Sequence, residues 1–589
     1  MTAAKKKETA GYKSIRQFFL KKKNILNFLG ILMMIYTVYL LFVIIRASFG
    51  SISIPNEYRE AANIQLTKTF MEGVNPYSLK AYDGDIPGMI YVYGPLYSLF
   101  TALLGLLLPV DIVMLHYVVT LASVLIGAGL AAYMTYERTE SIAPPAAVFL
   151  FLINCSWRYG YINAVPDAFA LMISIIIFFI VSRKKFALQN FLCALLSIAL
   201  FFTKQYFAVI ALSIFIFKLI NDKKDCLRYT IDGVIIALVT FIAVSITCPL
   251  YFTYSVYLAH GPFGITQEQY HKAYGGYMKE YTEEEKKEKE EERREKEAEL
   301  KEENVEEFTA ESVNTDPDSG FGYEIMQLKS LAGIFIFVFF AAFLGILFEI
   351  INKLKNRQDL GMFLIIHMTV AFIALIYLGR NNGAWLSYYL QLLMPAVIIY
   401  AFIFVENEIE KENGIRVVCF WPLLFLMMFF TAYRTDGRLK VYEKTDEQLA
   451  AWERAYEITA KYAEKGEVYY VPILGFQTFS NGQELYNNGH SMVITGYFRG
   501  EYFAVPWEQK VFPNGGTVLQ KHFDHQQYIK EKAANREYEL VTIIDGVDTD
   551  AGRLSVKDLK NDGYEKKDSI LLNVGRMSYD VQFWVRQDL

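Results

Sequence analysis

Apolar runs of roughly 20 residues, broken by tight clusters of lysine and arginine, recur along most of this chain, and no other feature limits its fold as severely. A helix rises about 1.5 Å per residue, so a run of about 20 crosses the roughly 30 Å of bilayer hydrocarbon with its backbone hydrogen bonds satisfied internally. Such runs, several of them shorter than 20, lie at 27–46, 112–135, 143–156, 168–182, 187–203, 206–220, 230–252, 331–350, 360–379, 386–405 and 415–433. They predict an all-α polytopic membrane protein of about eleven transmembrane helices. Of the 589 residues, 53% are hydrophobic and 16% aromatic, a membrane composition.

The charges give the expected orientation. Lys5–Lys7 and Lys21–Lys23 precede the first run, which is too long for a signal peptide's apolar region, so the N-terminus is placed in the cytoplasm and the first helix is retained. The later cytoplasmic loops then hold thirteen cations, among them Arg183, Lys184 and Lys185, while the short outer loops hold Arg158, Lys204 and Arg380. This assignment requires Leu96–Leu108, about 14 residues between two prolines, to lie on the outer membrane face; as a crossing it would invert every later loop. Localisation to the plasma membrane follows, with outer loops at 47–111 and 253–330 and a C-terminal region from 434 outside the cell.

Residues 1–433 are thus expected to form the membrane domain and 434–589 an extracytoplasmic domain. In the latter, Thr445 or Asp446 caps a helix carrying Leu449, Trp452, Tyr456 and Ala460, and Val468–Ile473, Leu540–Ile544 and Tyr579–Val585 read as strands, giving a soluble α/β unit. The net charge of −5 owes much to the Glu/Lys run within the second outer loop, Glu283–Glu307, which has no apolar face and reads as a solvated helix or loop. Nothing here supports nucleic-acid binding. The five cysteines keep to apolar spans or their borders, which argues against a disulfide framework.

Chemistry is expected in the outer segments. Pro55-Asn56-Glu57-Tyr58-Arg59-Glu60 follows the first span and sets two carboxylates three residues apart at the membrane surface, where partial desolvation suits a carboxylate to work as a general base. The plainer reading is a pair of solvated loop acids. Lys204 and Arg380 are expected at outer helix ends, at the depth of a lipid headgroup, where a cation meets phosphate or simply snorkels. Arg158 and Asp167 are close enough in sequence to pair across a short loop, and Tyr388 reads as an aromatic-belt anchor. His522-Phe523-Asp524-His525 has metal-ligand residue types without a recognisable framework, so no metal site is assigned to it.

Three motifs in order, Glu57 after the first span, Gly73-Val74-Asn75-Pro76-Tyr77, and Tyr93-Gly94-Pro95-Leu96-Tyr97, resemble the GT-C class of integral membrane glycosyltransferases, and within it the bacterial branch related to dolichyl-phosphate-mannose protein mannosyltransferases. Val165-Pro166-Asp167-Ala168, Thr203-Lys204-Gln205, and Gly379-Arg380 followed by Ser387-Tyr388-Tyr389 fit the same resemblance, which covers most of the first 400 residues. The chain departs from it at Asn56-Glu57, where the family commonly has Asp-Glu, and at His116, where an arginine is common.

The resemblance implies an inverting transfer from a polyprenyl-phosphate-linked sugar to a glycan, lipid or protein acceptor outside the cell. It makes Glu57 the base, Glu60 the second choice, and Asp167 the residue that orients the acceptor or assists. Lys204, Gln205, Arg380, Tyr388, Arg158 and Tyr93 would bind substrate. Mg²⁺ or Mn²⁺ held through Glu57 or Asp167 fits the resemblance without being fixed by it, and no other cofactor is implied. Membrane lipids are the surrounding partners. A polytopic lipid or solute transporter, or a noncatalytic scaffold presenting the C-terminal domain, is the alternative; against the transporter, the chain has no internal repeat and its polar candidates lie at helix ends rather than at the midplane.

Overall fold

The computed structural model describes residues 30–50, 60–79, 93–139, 141–157, 162–258, 336–347, 360–378, 388–410, 445–462, 467–469, 531–544, 556–574 and 577–588, with a few isolated positions besides. Four helices among them are long and apolar enough to cross a membrane: α1 (Gly30–Gly50), α4 (Ile112–Thr139), α9 (Lys223–Thr247) and the helix over Tyr389–Glu406. Shorter apolar helices fill in around them: α5 (Ala143–Trp157), α6 (Asp167–Ser182), α7 (Gln189–Phe201), α8 (Val209–Asn221), α10 (Ile336–Leu347) and α11 (Leu360–Leu378). The last long helix opens with a π turn at Tyr389–Leu393 and continues as α12 (Met394–Glu410). The chain is a multi-pass membrane protein. Of the expected spans, 415–433 lies outside the described residues apart from residue 426, as does Glu283–Glu307.

Two helices precede α4 without reaching span length. α2 (Glu60–Met71) follows α1, and α3 (Leu96–Leu107) has 12 residues, about 18 Å of rise against the roughly 30 Å of hydrocarbon. α3 buries Tyr97, Ser98, Thr101 and Ala102 and exposes Leu99, Phe100, Leu103, Leu106 and Leu107, so it lays one polar and aromatic face on the bundle and an apolar face outward.

The core is a bundle in which α4 packs on α5 and α6, α12 on α5, and α8 on α11. Small residues allow the approach: Ala128, Ala131, Ala143, Ala146, Ala147, Ala168 and Ala170 are buried among Ile, Leu and Phe side chains. α4 is less exposed than α9, which presents Leu227, Ile231, Val234, Ile235, Leu238 and Val239 outward.

One boundary differs from expectation. The charges Lys218, Lys223, Lys224 and Arg228 were assigned to a loop, but the turn between α8 and α9 is the single residue Asp222. Its carboxylate accepts from the backbone N–H groups of Lys224 (2.9 Å) and Asp225 (3.2 Å), capping α9 seven residues earlier than the apolar run begins. The cations ride on the helix ends instead.

The C-terminal part forms a four-stranded mixed sheet ordered β1 (Glu467–Tyr469), β2 (Tyr538–Ile544), β4 (Met577–Arg586), β3 (Tyr564–Val574). β1 is parallel to β2, and the other pairs are antiparallel. One face packs under α13 (Asp446–Tyr462), where Trp452 and Ala455 meet Leu540, Leu572, Val581 and Phe583; the other carries Tyr538, Val541, Tyr564 and Trp584 against Leu559 of α14 (Val556–Asn561). Thr445 and Gln448 close a reciprocal capping box at 3.2 Å in both directions. Of the expected helix face, Trp452 is buried but Ala460 is exposed; Ala455 and Thr459 complete the buried side.

Candidate active site

Asp167 is the first residue of α6, entered through Pro166, whose fixed φ of −74° suits a helix start. Lys204 follows the end of α7, where its N–H bonds the carbonyl of Leu200 at 2.7 Å. Because α6 and α7 run in opposite directions, these two helix ends coincide. Lys204 Nζ stands 2.7 Å from Asp167 Oδ1, with the side chains 1% and 4% exposed. Charges buried this deeply persist in a protein only when paired.

A second shell of polar groups fixes the carboxylate. Gln391, on the π turn before α12, donates its side-chain N–H to the same Oδ1, and its Oε1 accepts from the Tyr206 hydroxyl at 2.6 Å. A π turn admits one extra residue per turn and so re-aims side chains relative to a continuous α-helix. The lysine is walled by aromatic rings, with Nζ 5.1 Å from the centroid of Tyr93, 5.2 Å from Tyr206 and 5.9 Å from Tyr388. Tyr206 and Tyr388 lie 4.3 Å apart, centroid to centroid. The site therefore offers one ammonium, held by a carboxylate, inside a ring of phenols.

The segment leading into Asp167 is anchored from two sides. Fully buried Glu60 accepts from the Ala164 backbone N–H at 2.9 Å through Oε1, and Thr120 donates to the Asn163 carbonyl at 2.7 Å. Thr120 continues a buried chain of hydroxyls and imidazole: Tyr97 lies 3.2 Å from it, His116 Nδ1 2.9 Å from Tyr97, and His116 Nε2 2.9 Å from Thr67. His116 thus joins α2, α3 and α4 with no charge of its own required, a structural part the residue type alone did not reveal. Asn163 is also fully buried, and among the described residues neither Oδ1 nor Nδ2 of its side chain has a hydrogen-bond partner.

The turns at Asn75 and Gly94 hold the aromatic wall. Asn75 Oδ1 accepts from Tyr77 N–H at 3.0 Å, closing an Asx turn, while its Nδ2 donates to the carbonyl of Thr247 at the end of α9. Tyr77 is buried against Tyr251 and Tyr254. At Gly94 a Cβ would lie 1.8 Å from the Phe202 carbonyl oxygen, and that carbonyl accepts from Leu96 N–H at 3.1 Å. Glycine is what lets Tyr93 reach Lys204.

The structure thus gathers Asp167, Lys204, Tyr93 and Tyr388, with Gln205 at the edge, in a 3₁₀ turn (Gln205–Ala208). Glu60 is one step removed, through Ala164. Glu57, Arg158, Arg380 and the His522–His525 cluster lie outside the described residues. Among the described residues the cation on Asp167 is Lys204, a partner the sequence did not suggest; the Arg158 pairing lies outside them. Gln391 and Tyr206 were not singled out by sequence. Among the described residues no three His, Cys, Asp or Glu side chains gather, and Asp167 is committed to a lysine, so no metal is assigned to it.

No protein-family model matches the chain, and no curated protein sequence does. Solved structures do. The crystal structure of ArnT from Cupriavidus metallidurans bound to undecaprenyl phosphate aligns over 93% of this chain and 98% of its own, with a TM-score of 0.51 at 11% identity. Its apo form gives 0.52 at 10% identity, over 93% and 97%. This chain has the GT-C glycosyltransferase fold. The apo oligosaccharyltransferase of Archaeoglobus fulgidus also aligns, over 87% of this chain and 69% of that one, at 11% identity and a TM-score of 0.48. In this chain α3 and the Lys204–Asp167 pair occupy the same end of the bundle, since α3 begins against Phe202.

Proposed function

We propose that this protein transfers a sugar from a polyprenyl-phosphate-linked donor to an extracytoplasmic acceptor, with inversion at the anomeric carbon. The observation that carries the reading is the buried Lys204 ammonium, held by Asp167 and ringed by Tyr93, Tyr206 and Tyr388, on a fold whose ArnT representative is bound to undecaprenyl phosphate. An ammonium group has three donors and Asp167 takes one, so phosphate oxygens can take the others.

In the reaction, an acceptor oxygen attacks the anomeric carbon, its proton passes to a carboxylate, and the bond from that carbon to the phosphate oxygen breaks. The electron pair leaves with the polyprenyl phosphate. Charge accumulates on that phosphate in the transition state, and a pre-positioned cation in a low-dielectric site stabilises it without reorganisation. Asp167 and Gln391 keep Lys204 aimed, and the tyrosine rings around it keep water away from the ammonium. Glu57 is the base in this reading, three residues ahead of Glu60, whose own carboxylate is occupied with Ala164. Arg380 and Arg158 are the further phosphate-binding residues.

The test incubates purified protein with a panel of polyprenyl-phosphate sugars and follows release of the lipid phosphate. Wild type releases it from at least one donor; Lys204→Met and Glu57→Gln do not. Equal release by wild type and Glu57→Gln removes Glu57 as base, and equal release by Lys204→Met removes the phosphate site.

A further inference from the structure

The end of the bundle opposite Lys204 holds a second polar site. α7 runs 13 residues, about 20 Å, from Asn190 to the Lys204 turn, and α8 returns the same way, so Asn190, Lys218, Asp222 and Asp225 share the far end. There, Lys218 and Lys185 both bind Asp225, at 2.6 Å and 2.8 Å, and Lys185 also reaches Asp222 at 3.0 Å. Asn190 donates Nδ2 to Asp225 at 3.0 Å. Lys185, Asn190 and Asp225 of this knot line a cavity of about 400 Å³ together with Phe186, Arg228, Ile231 and Asp232.

Three groups in that wall have capacity to spare. Asn190 is 91% buried, yet its Oδ1 has no hydrogen-bond partner. Arg228 and Asp232, one turn apart on α9, have no ion pair or hydrogen bond among the described residues. A buried acceptor without a partner costs free energy unless something donates to it. Arg228 is exposed and Asp232 half-buried, so both charges are free to meet a ligand's opposite charges at the membrane border. The cavity presents an anion site at Arg228 and Lys185 and, beside it, a donor-seeking site at Asn190 Oδ1 and Asp232.

We infer that this cavity binds a zwitterionic headgroup with a phosphate and a primary ammonium, as in phosphatidylethanolamine. The phosphate takes Arg228 and the remaining donor of Lys185; the ammonium donates to Asn190 Oδ1 and pairs with Asp232. The source is a membrane lipid rather than a soluble phosphate ester, because the cavity opens beside an apolar surface. Leu188 is 60% exposed, Leu227 61%, Ile231 48% and Ile235 55%, a strip along which acyl chains can lie. A quaternary choline headgroup has no N–H for Asn190, and a glycerol headgroup has no positive charge for Asp232.

The full chain, purified in an uncharged maltoside detergent, is titrated with dihexanoyl phosphatidylethanolamine, phosphatidylglycerol and phosphatidylcholine, and separately with O-phosphoethanolamine and inorganic phosphate, reading affinity and thermal midpoint. The ethanolamine lipid binds about tenfold or more tightly than the other two lipids and the soluble compounds. Arg228→Gln and Asp232→Asn each weaken it by about tenfold while the lipid-free midpoint stays at the wild-type value, since neither side chain contributes a bond to the fold. Equal binding of the three lipids, or wild-type affinity in both variants, overturns the site. Equal binding of O-phosphoethanolamine keeps the headgroup and overturns the membrane source.

Discussion

Glu60 and Ala164 are joined by a 2.9 Å hydrogen bond from the backbone N–H of one to the carboxylate of the other, fastening α2 to the strand of chain that enters Asp167. An amide oxygen can accept that bond as a carboxylate does. Glu60→Gln is therefore expected to keep fold and sugar transfer within a few-fold of wild type, whereas Glu60→Ala leaves a buried N–H bare and loses about 1–3 kcal/mol of stability. Donor turnover and thermal unfolding measured on the two variants check this. A dead but stable Glu60→Gln would make Glu60 itself the base.

The Lys204–Asp167 pair gives a sharper separation of structure from chemistry. Removing one member leaves an uncompensated buried charge, so Asp167→Leu or Lys204→Met alone should cost about 3–5 kcal/mol. The double variant Lys204→Met with Asp167→Leu should recover most of that loss and still show no transfer. Recovery of transfer along with stability would reduce the pair to scaffolding.

Asn163 is fully buried with no hydrogen-bond partner for its side chain among the described residues. Asn163→Leu, close in volume, should raise the thermal midpoint while lowering turnover, because the amide is kept for a ligand that lands beside Ala164. A variant that is both more stable and fully active would show that the amide serves no substrate.

Gly94 and Gly129 form a matched pair. A methyl at Gly94 meets the Phe202 carbonyl oxygen at 1.8 Å, while one at Gly129 meets nothing within 4 Å. Gly94→Ala should therefore lower folded yield in the membrane and displace Tyr93 from Lys204, and Gly129→Ala should leave yield unchanged or raise it. Size-exclusion profiles of the two variants decide the point.

The membrane helices were readable from sequence because bilayer thickness and apolar run length measure the same distance. Asp167 and Lys204 stood out for a related reason: isolated charges beside long apolar runs are rare enough to notice. Their mutual pairing was not readable, since 37 residues and two antiparallel helices separate them and Arg158 was nearer in sequence. Gln391 was hidden in the apolar run Tyr389-Leu390-Gln391-Leu392-Leu393, and only the π turn reveals that it faces Asp167. Tyr206 is one tyrosine among 41, with nothing in its neighbours to single it out. In the sheet, β3 went unpredicted because Glu565-Lys566-Lys567-Asp568 reads as a loop; it is an edge strand, where charge blunts unwanted pairing. β1 covers the start of the expected strand, and the remainder to Ile473 lies outside the described residues.

The spacing between Asp167 and Lys204 is counted out by two helices and a short turn rather than by slack loops. One residue added to α7 would swing the lysine by about 100° around the helix axis and lift it by about 1.5 Å. Point changes of amino acid are forgiven along this stretch far more readily than a gained or lost codon, so distant homologues should align here without gaps even where hardly a letter agrees.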